Sequence, residues 1–550
     1  MASFLLVSIM LSLLLVLFSH LLQRIAAARR RLPPGPCPLP LIGNLLDIGD
    51  LPHRSFARLA ERYGPLMTVR LGAATCVVAS SPATARAVLQ THNASLAGRG
   101  RQDAWHAGGH AENSVFVLPP GRKWRLLRKL GAAHLFSRRK LAELAPLRDE
   151  IVGGLLRRVA ERADHRGGAP VNVGRLALAA NVELLWRSVF STRLDAATLD
   201  VLCDVAREAA VLLGTPNVSD FFPAVAALDL QGLRRRLAEL MKNTYRLVDA
   251  QIDHRMGCRE LRGGRGGEAM DLLDVLLDMS EQEREDGDDE VINRDLMRAL
   301  LTVRFIRWGG SDSTATTVEW AMAELLQNPE IMKTLQQEIK MVLGTRSQVE
   351  ESDIGQLPYL QAIVKETLRL HPIVPLRLYE AERTVEIEGH TIPKGSKVIV
   401  NAWAIHQSVK VWIQPEKFLP ERFITKDIDF AGRHFEFIPF GSGRHICIGL
   451  PLANRMLHMI LGSLMHQFKW TMPQMVNRNV LDMAEKFGLA VQLDLFLLDT
   501  GVVPLQQTSV GGQQSQCVAQ FSVFSKGSVS CKIDYKFVVI GVLTNFRLSN

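Results

Sequence analysis

Residues 4–22, FLLVSIMLSLLLVLFSHLL, form an apolar run broken only by Ser8, Ser12, Ser19 and His20. Its length approaches the roughly 20 residues that span a bilayer. No charge precedes the run, and Arg24, Arg29, Arg30 and Arg31 follow it. That order predicts an uncleaved transmembrane anchor over 1–23, with the rest of the chain on the cytosolic side. A basic and proline-rich hinge follows over 24–40, where Pro33, Pro34, Pro36, Pro38 and Pro40 exclude helix and stiffen the chain into a spacer. From about residue 55 the helical period dominates. VEWAMAELLQNP carries Val318, Ala321, Met322, Leu325 and Leu326 on one helical stripe, and Pro329 opens a second helix. Strand patterns are fewer: LMTVRLG, TCVVAS and the stretch TVEIEGHTIPKGSKVIVNAWAI. GGRGGE and EQEREDGDDE, within 263–290, read as a polar surface link between helices. After residue 494 the helical period is lost in a segment rich in Gln, Ser and Gly, which need not belong to the main fold.

Composition narrows this picture. The chain has 550 residues, 47% of them hydrophobic, enough for a large core. Its net charge of +9 is spread along the chain instead of forming one basic block, which argues against nucleic-acid binding. The cysteines form no C-x-x-C pair and no regular framework, so neither a zinc site nor a disulfide scaffold is indicated. A reducing compartment fits, and there the sequons at Asn93 and Asn217 stay unmodified.

Four constellations carry chemistry. FIPFGSGRHICIGLPLA, residues 437–453, spaces Phe440, Gly443, Cys447 and Gly449 as F-x-x-G-x-x-x-C-x-G ahead of an apolar helical segment. A thiolate at a helix N-terminus gains from the dipole and from free backbone N–H groups, the surroundings of a metal ligand. The glycines would let backbone lie against a large planar cofactor. KETLRLHP places Glu366 and Arg369 on one helix face, and LPERF adds Arg422; a carboxylate between two guanidiniums satisfies bidentate geometry when buried. GRKWRLLRKL sets Trp124 and Arg128 one turn apart. On this segment Arg122, Lys123, Arg125 and Lys129 are expected to face water. GGSDSTATTVEW offers Gly309 and Gly310, then Asp312 and Ser313.

In this order the four motifs resemble those of the cytochrome P450 family, over about residues 1–493. The resemblance implies a mainly α fold with a minor β-sheet region, the cytochrome P450 fold, with haem b between two central helical regions. The catalytic domain would run over 41–493, followed by a divergent tail over 494–550 that is disordered or an artefact of read-through or of a faulty gene model. Cys447 would ligate the iron in a loop shaped by Phe440, Gly443 and Gly449, and Trp124, Arg128 and His445 would hold the propionates. Gly309 and Gly310 would leave room for dioxygen, while Asp312 and Ser313 manage proton delivery. Glu366, Arg369 and Arg422 would be structural. Electrons would come from NADPH through a cytochrome P450 reductase docked on the basic face, at the endoplasmic reticulum membrane. Within the family, the proline-rich hinge and FEFIPFGSGR are similar to the plant terpenoid hydroxylases of the geraniol 8-hydroxylase type, implying a small apolar mono- or diterpene substrate. Its contacts would come from 104–117, LLGTPNVSDFF, the residues before Gly309, and 373–378.

Several positions depart from the family's pattern. His445 stands where an arginine is usual, and a neutral imidazole lacks the fixed charge of guanidinium. Glu380 stands where a histidine or arginine is usual, and would repel a propionate unless turned away. TVRFIRWGG is about two residues longer than expected and puts Arg304, Arg307 and Trp308 where acidic or apolar residues are usual. The tail replaces the strand pair that normally closes the pocket. These features motivate an alternative: a catalytically impaired relic that binds haem weakly or not at all. A third reading, an oxygen-independent isomerase, is opposed by Asp312 and Ser313.

Overall fold

The structure is a computed structural model that describes residues 10, 31–100, 102–164, 171–261, 271–285, 292–302, 310–471, 483–486, 488, 491–493 and 503–506. The expected anchor apart from Met10, the GGRGGE segment, Arg304, Arg307, Trp308, Gly309 and most of the tail lie outside these residues. Among the described residues no helix is long and apolar enough to cross a membrane.

Helices dominate. Those that build the site are α1 (Pro52–Tyr63), α2 (Arg122–His134), α3 (Ala145–Asp164), α4 (Val173–Phe190), α5 (Ala196–Gly214), α6 (Leu233–Leu261), α7 (Asp312–Gln327), α8 (Pro329–Leu343), α9 (Pro358–Leu370) and α10 (Leu450–Gln467). The helix pair split by Pro329 forms as its sequence predicts. The single apolar stripe expected on α7, however, understates its burial. It packs against α4, α5, α9 and α10 and is buried nearly all round, Trp320 included. Two of its polar residues are met inside the core: Thr317 Oγ1 donates to the Ser313 carbonyl at 2.7 Å, and Glu324 meets His371 at 2.7 Å. A helix enclosed on all sides has no polar face to set its period, so the stripe is only part of its core surface.

The strands β1 (Leu66–Leu71), β2 (Ala74–Ala79), β4 (Val385–Ile387), β5 (His390–Ile392) and β6 (Lys397–Asn401) fall where alternation predicts, whereas β3 (Leu376–Glu380) forms in a segment read as substrate contact. Four of them form one sheet in the order β1-β2-β6-β3, with β2 and β6 parallel and the other pairs antiparallel. The described part of the hinge is docked and is no free spacer. Thr68 N–H donates to the Pro34 carbonyl at 2.8 Å, and Thr391 N–H to the Arg31 carbonyl at 3.0 Å. The acid-rich link is also shorter than expected. EQERE completes a helix, Leu272–Glu285, because Leu272, Leu273, Leu276 and Leu277 bury one face of it. In the tail, Val503–Gln506 pairs antiparallel with Phe468–Thr471, so this stretch belongs to a sheet.

Candidate active site

The loop before α10 is closed by its own backbone. Cys447 N–H donates to the Phe440 carbonyl at 3.0 Å and Ile446 N–H to the Gly443 carbonyl at 3.2 Å. Gly443 holds φ +66°, and a Cβ there would lie 2.1 Å from the Leu89 carbonyl oxygen. Glycine is therefore required by the protein itself. At Gly449, by contrast, a Cβ would sit 3.9 Å from the Cys447 sulfur, an ordinary contact.

Cys447 has exposed surface, yet protein surrounds it so deeply that burial pushes its thiol up. Both hold for a side chain on the wall of an interior space. The Gly449 and Leu450 N–H groups at the start of α10 hydrogen-bond the sulfur, and together with Arg377 and Arg128 they oppose the burial effect. These are the donors expected of a thiolate at a helix N-terminus.

Beside the loop lies a cluster of cations. Arg128 stacks over the Trp124 ring at 5.3 Å and donates to the Ile446 carbonyl at 3.1 Å. Arg99 covers Tyr379 at 5.3 Å and donates to the Leu378 carbonyl at 2.7 Å. Arg377 reaches from β3 to the Ile438 carbonyl at 3.1 Å and to that of Pro439. Among the described residues no carboxylate pairs with any of the three. Burial lowers all three pKa values, and repulsion from Arg377 and Arg128 lowers Arg99 further. Arg99 Nε, Arg377 Nε and Trp124 Nε1 are buried donors without acceptors among the described residues. Uncompensated buried cations and orphaned N–H groups are costly. Their arrangement fits a bound group with carboxylates, as haem propionates would be.

His445 packs between Trp124 at 5.2 Å and Tyr379 at 5.8 Å, and Nε2 donates to the Ala97 carbonyl at 2.8 Å. Burial, with Arg99 beside it, pushes its pKa down to about 3, so it is neutral. Positive charge at this site comes from Arg99, Arg128 and Arg377. Glu380 is turned away from the cluster. Strand alternation places it opposite Tyr379, and its carboxylate lies at Gly100 and under the influence of Lys397. Arg122, Arg125 and Lys129 are exposed, but Lys123 is half-buried and donates to the Asn113 side chain.

At the start of α7, Asp312 is buried, and burial raises its pKa to about 6 against the opposing pull of Arg207. Gln492 Nε2 donates to its Oδ2 at 3.4 Å. Ser313 is half-buried, and Gly310 is exposed.

Glu366, Arg369 and Arg422 form one buried cage. Arg369 donates to both Glu366 oxygens at 2.8 Å, Arg422 Nε to Oε1 at 3.2 Å, and Leu419 N–H to Oε1 at 2.9 Å. Arg369 continues to the His406 carbonyl at 2.8 Å, while the His406 ring accepts the Ile438 N–H at 3.0 Å. The cage is thereby tied to the cysteine loop.

The structure thus gathers Trp124, Arg128, Phe440, Gly443, His445, Cys447 and Gly449 in one place, and Asp312 with Ser313 on α7. Arg99 and Arg377 were missed in the sequence. Arg99 lies in a short glycine-rich loop with no periodicity, and Arg377 falls in the segment assigned to substrate contact.

Comparison with known proteins agrees. Residues 33–496 match the cytochrome P450 family. The chain is 40% identical to geraniol 8-hydroxylase of Catharanthus roseus over 483 residues, covering 86% of this chain and 94% of the relative. It is 40% identical to carnosic acid synthase of Rosmarinus officinalis over 474 residues, 84% and 91% of the two chains. It is 39% identical to cytochrome P450 76T24 of Catharanthus roseus over 516 residues, 91% and 99% of the two chains. Members of the family and the named relatives are monooxygenases, and the family implies a haem iron cofactor. With the thiol loop, the uncompensated cations and the buried ion cage in place, the chain belongs to the cytochrome P450 monooxygenases.

Proposed function

We propose that this monooxygenase hydroxylates a small, apolar mono- or diterpenoid, with electrons from NADPH delivered by a reductase at the endoplasmic reticulum membrane. The observation that carries the reaction is the cluster of Arg99, Arg128, Arg377 and Trp124 donors beside Cys447. The terpenoid class is supported by the relative named for geraniol, a monoterpene alcohol. The membrane location is supported by the apolar run over 4–22 and the basic residues after it.

Haem supplies dioxygen activation when bound. Cys447 would hold its iron, and Trp124, Arg99 and Arg128 its carboxylates. Arg377 keeps the loop carbonyls of Ile438 and Pro439 in place. Asp312 and Ser313 would hold and pass a proton beside the reacting oxygen. The Glu380 carboxylate, once a reason to expect weak haem binding, points elsewhere.

The test expresses the full chain with haem and records the reduced, carbon monoxide-bound difference spectrum, with Cys447→Ser as control. A thiolate-type Soret maximum in the wild type and its loss in the variant are expected. Turnover is then followed with NADPH, reductase and geraniol. A thiolate spectrum without any binding shift or product across mono- and diterpenes would reject the substrate class alone.

A further inference from the structure

Beyond Asp312 and Ser313, α7 carries a half-buried carboxyl, Glu319, that the reaction described so far does not use. Residues 312, 316 and 319 fall within about 60° of one another around a helix, at 100° per residue. Asp312, Thr316 and Glu319 therefore form one stripe, about 10 Å from end to end at 1.5 Å per residue. The neighbouring hydroxyls turn back onto the helix: Thr317 bonds the Ser313 carbonyl at 2.7 Å and Thr314 the Gly310 carbonyl at 3.4 Å. Thr316 is buried, and among the described residues its hydroxyl makes no such bond.

Glu319 is half-buried where α4 crosses α7, and it has no ion-pair partner among the described residues. Its niche is built by a glycine. A Cβ on Gly174 of α4 would lie 1.6 Å from Glu319 Oε1, so only glycine admits the carboxyl there. Among the described residues the charged neighbours are few. Arg207 from α5 acts on both Glu319 and Asp312. From α4, Arg175 is engaged by Asp200 and Asp204, and Cys203 on α5 is a thiol raised to about 11. Burial raises the Glu319 pKa to about 7.

We propose that Glu319 is the proton-supplying partner of Asp312, feeding it along the Thr316 stripe from the side of the protein that faces α4 and α5. Hydroxylation consumes one substrate, one dioxygen, two electrons and two protons, and yields the alcohol and water. The Glu319 O–H gives its proton through the Thr316 hydroxyl to the Asp312 carboxylate, and the Glu319 carboxylate regains one from solvent. Glu319 does not touch substrate; it is a positioning and supply residue.

The test uses the haem-loaded full chain. Infrared difference spectra from pH 5 to 9 should show a protonated carboxyl band that disappears with a midpoint near 7 in the wild type and is missing in Glu319→Gln. In NADPH-driven turnover, Glu319→Gln should divert electrons to peroxide, lowering coupling about 3- to 10-fold and flattening the alkaline limb of the pH profile. Turnover driven by added hydrogen peroxide needs no net proton uptake and should be unchanged. Glu319→Asp should partly restore coupling. Gly174→Ala, which displaces the carboxyl without deleting it, should reproduce the defect, and it decides the question if Glu319→Gln does not fold. A band with its midpoint near 7 that survives Glu319→Gln, unchanged coupling, or equal losses with NADPH and peroxide would overturn the inference. Because peroxide-driven turnover reports the haem site separately, failure here is distinguishable from failure of the terpenoid assignment.

Discussion

Arg369 donates to the carbonyl of His406 at 2.8 Å, and the ring of the same His406 accepts the N–H of Ile438 at 3.0 Å. One residue thus joins the buried Glu366 cage to the loop that presents Cys447. Glu366→Gln leaves Arg369 and Arg422 without their carboxylate. Breaking a fully buried pair of this kind costs about 3–5 kcal/mol. Urea unfolding should show that loss together with loss of the thiolate haem spectrum. A change below about 1 kcal/mol would mean that the cage is not structural.

Acid should weaken the fold through His406. Burial, then the nearby Arg369 charge, pushes its folded pKa down to about 3 from an ordinary value of 6.5. Between these values the unfolded chain binds the proton and the folded one does not. Stability is therefore fully present above about pH 6.5 and falls as pH drops toward 3. His406→Gln keeps an acceptor for Ile438 but cannot titrate, so unfolding free energies measured from pH 7 to 5 should slope less than in the wild type. His406→Phe should lose about 1–3 kcal/mol even at pH 7, because the Ile438 N–H is left unpaired.

Haem retention should follow charge more than the identity of residue 445. Charge-assisted hydrogen bonds are worth about 1.5–3 kcal/mol. Arg99→Gln and Arg128→Gln should each speed haem transfer to apomyoglobin by about 10- to 150-fold at that magnitude. His445→Ala removes a neutral bond to Ala97 and should have the smaller effect. A larger loss from His445→Ala than from Arg128→Gln would refute the assignment.

The two loop glycines should respond differently. Gly443→Ala meets both a positive φ and the Leu89 carbonyl, and strain of this kind costs about 1–3 kcal/mol before the contact is counted. Gly449→Ala has ordinary φ and ordinary contacts, and should unfold within about 0.5 kcal/mol of the wild type. Thermal unfolding of the two variants side by side is the measurement.

Much of the site was legible because it is written in short spacings. E-x-x-R and W-x-x-x-R set residues one turn apart on a helix, and F-x-x-G-x-x-x-C-x-G fixes a loop through backbone geometry. Arg99, Arg377 and Gln492 were not legible, because each reaches the site from a segment distant in the chain. Glu380 misled for a related reason. Its distance from the E-x-x-R motif is readable, but which face of β3 it occupies depends on pairing with β6, and a single residue of register reverses the answer.

The sequence by itself determined the local chemistry: a helical chain with a small sheet, one cysteine poised at a helix start, and one carboxylate between two arginines. These follow from periodicity and spacing, which act over a few residues. Only the tertiary structure decided what surrounds them. It makes His445 neutral by burial, turns Glu380 aside, leaves three guanidiniums without anions among the described residues, and sets Glu319 against Gly174, because desolvation and charge pairing depend on which distant elements close over each group.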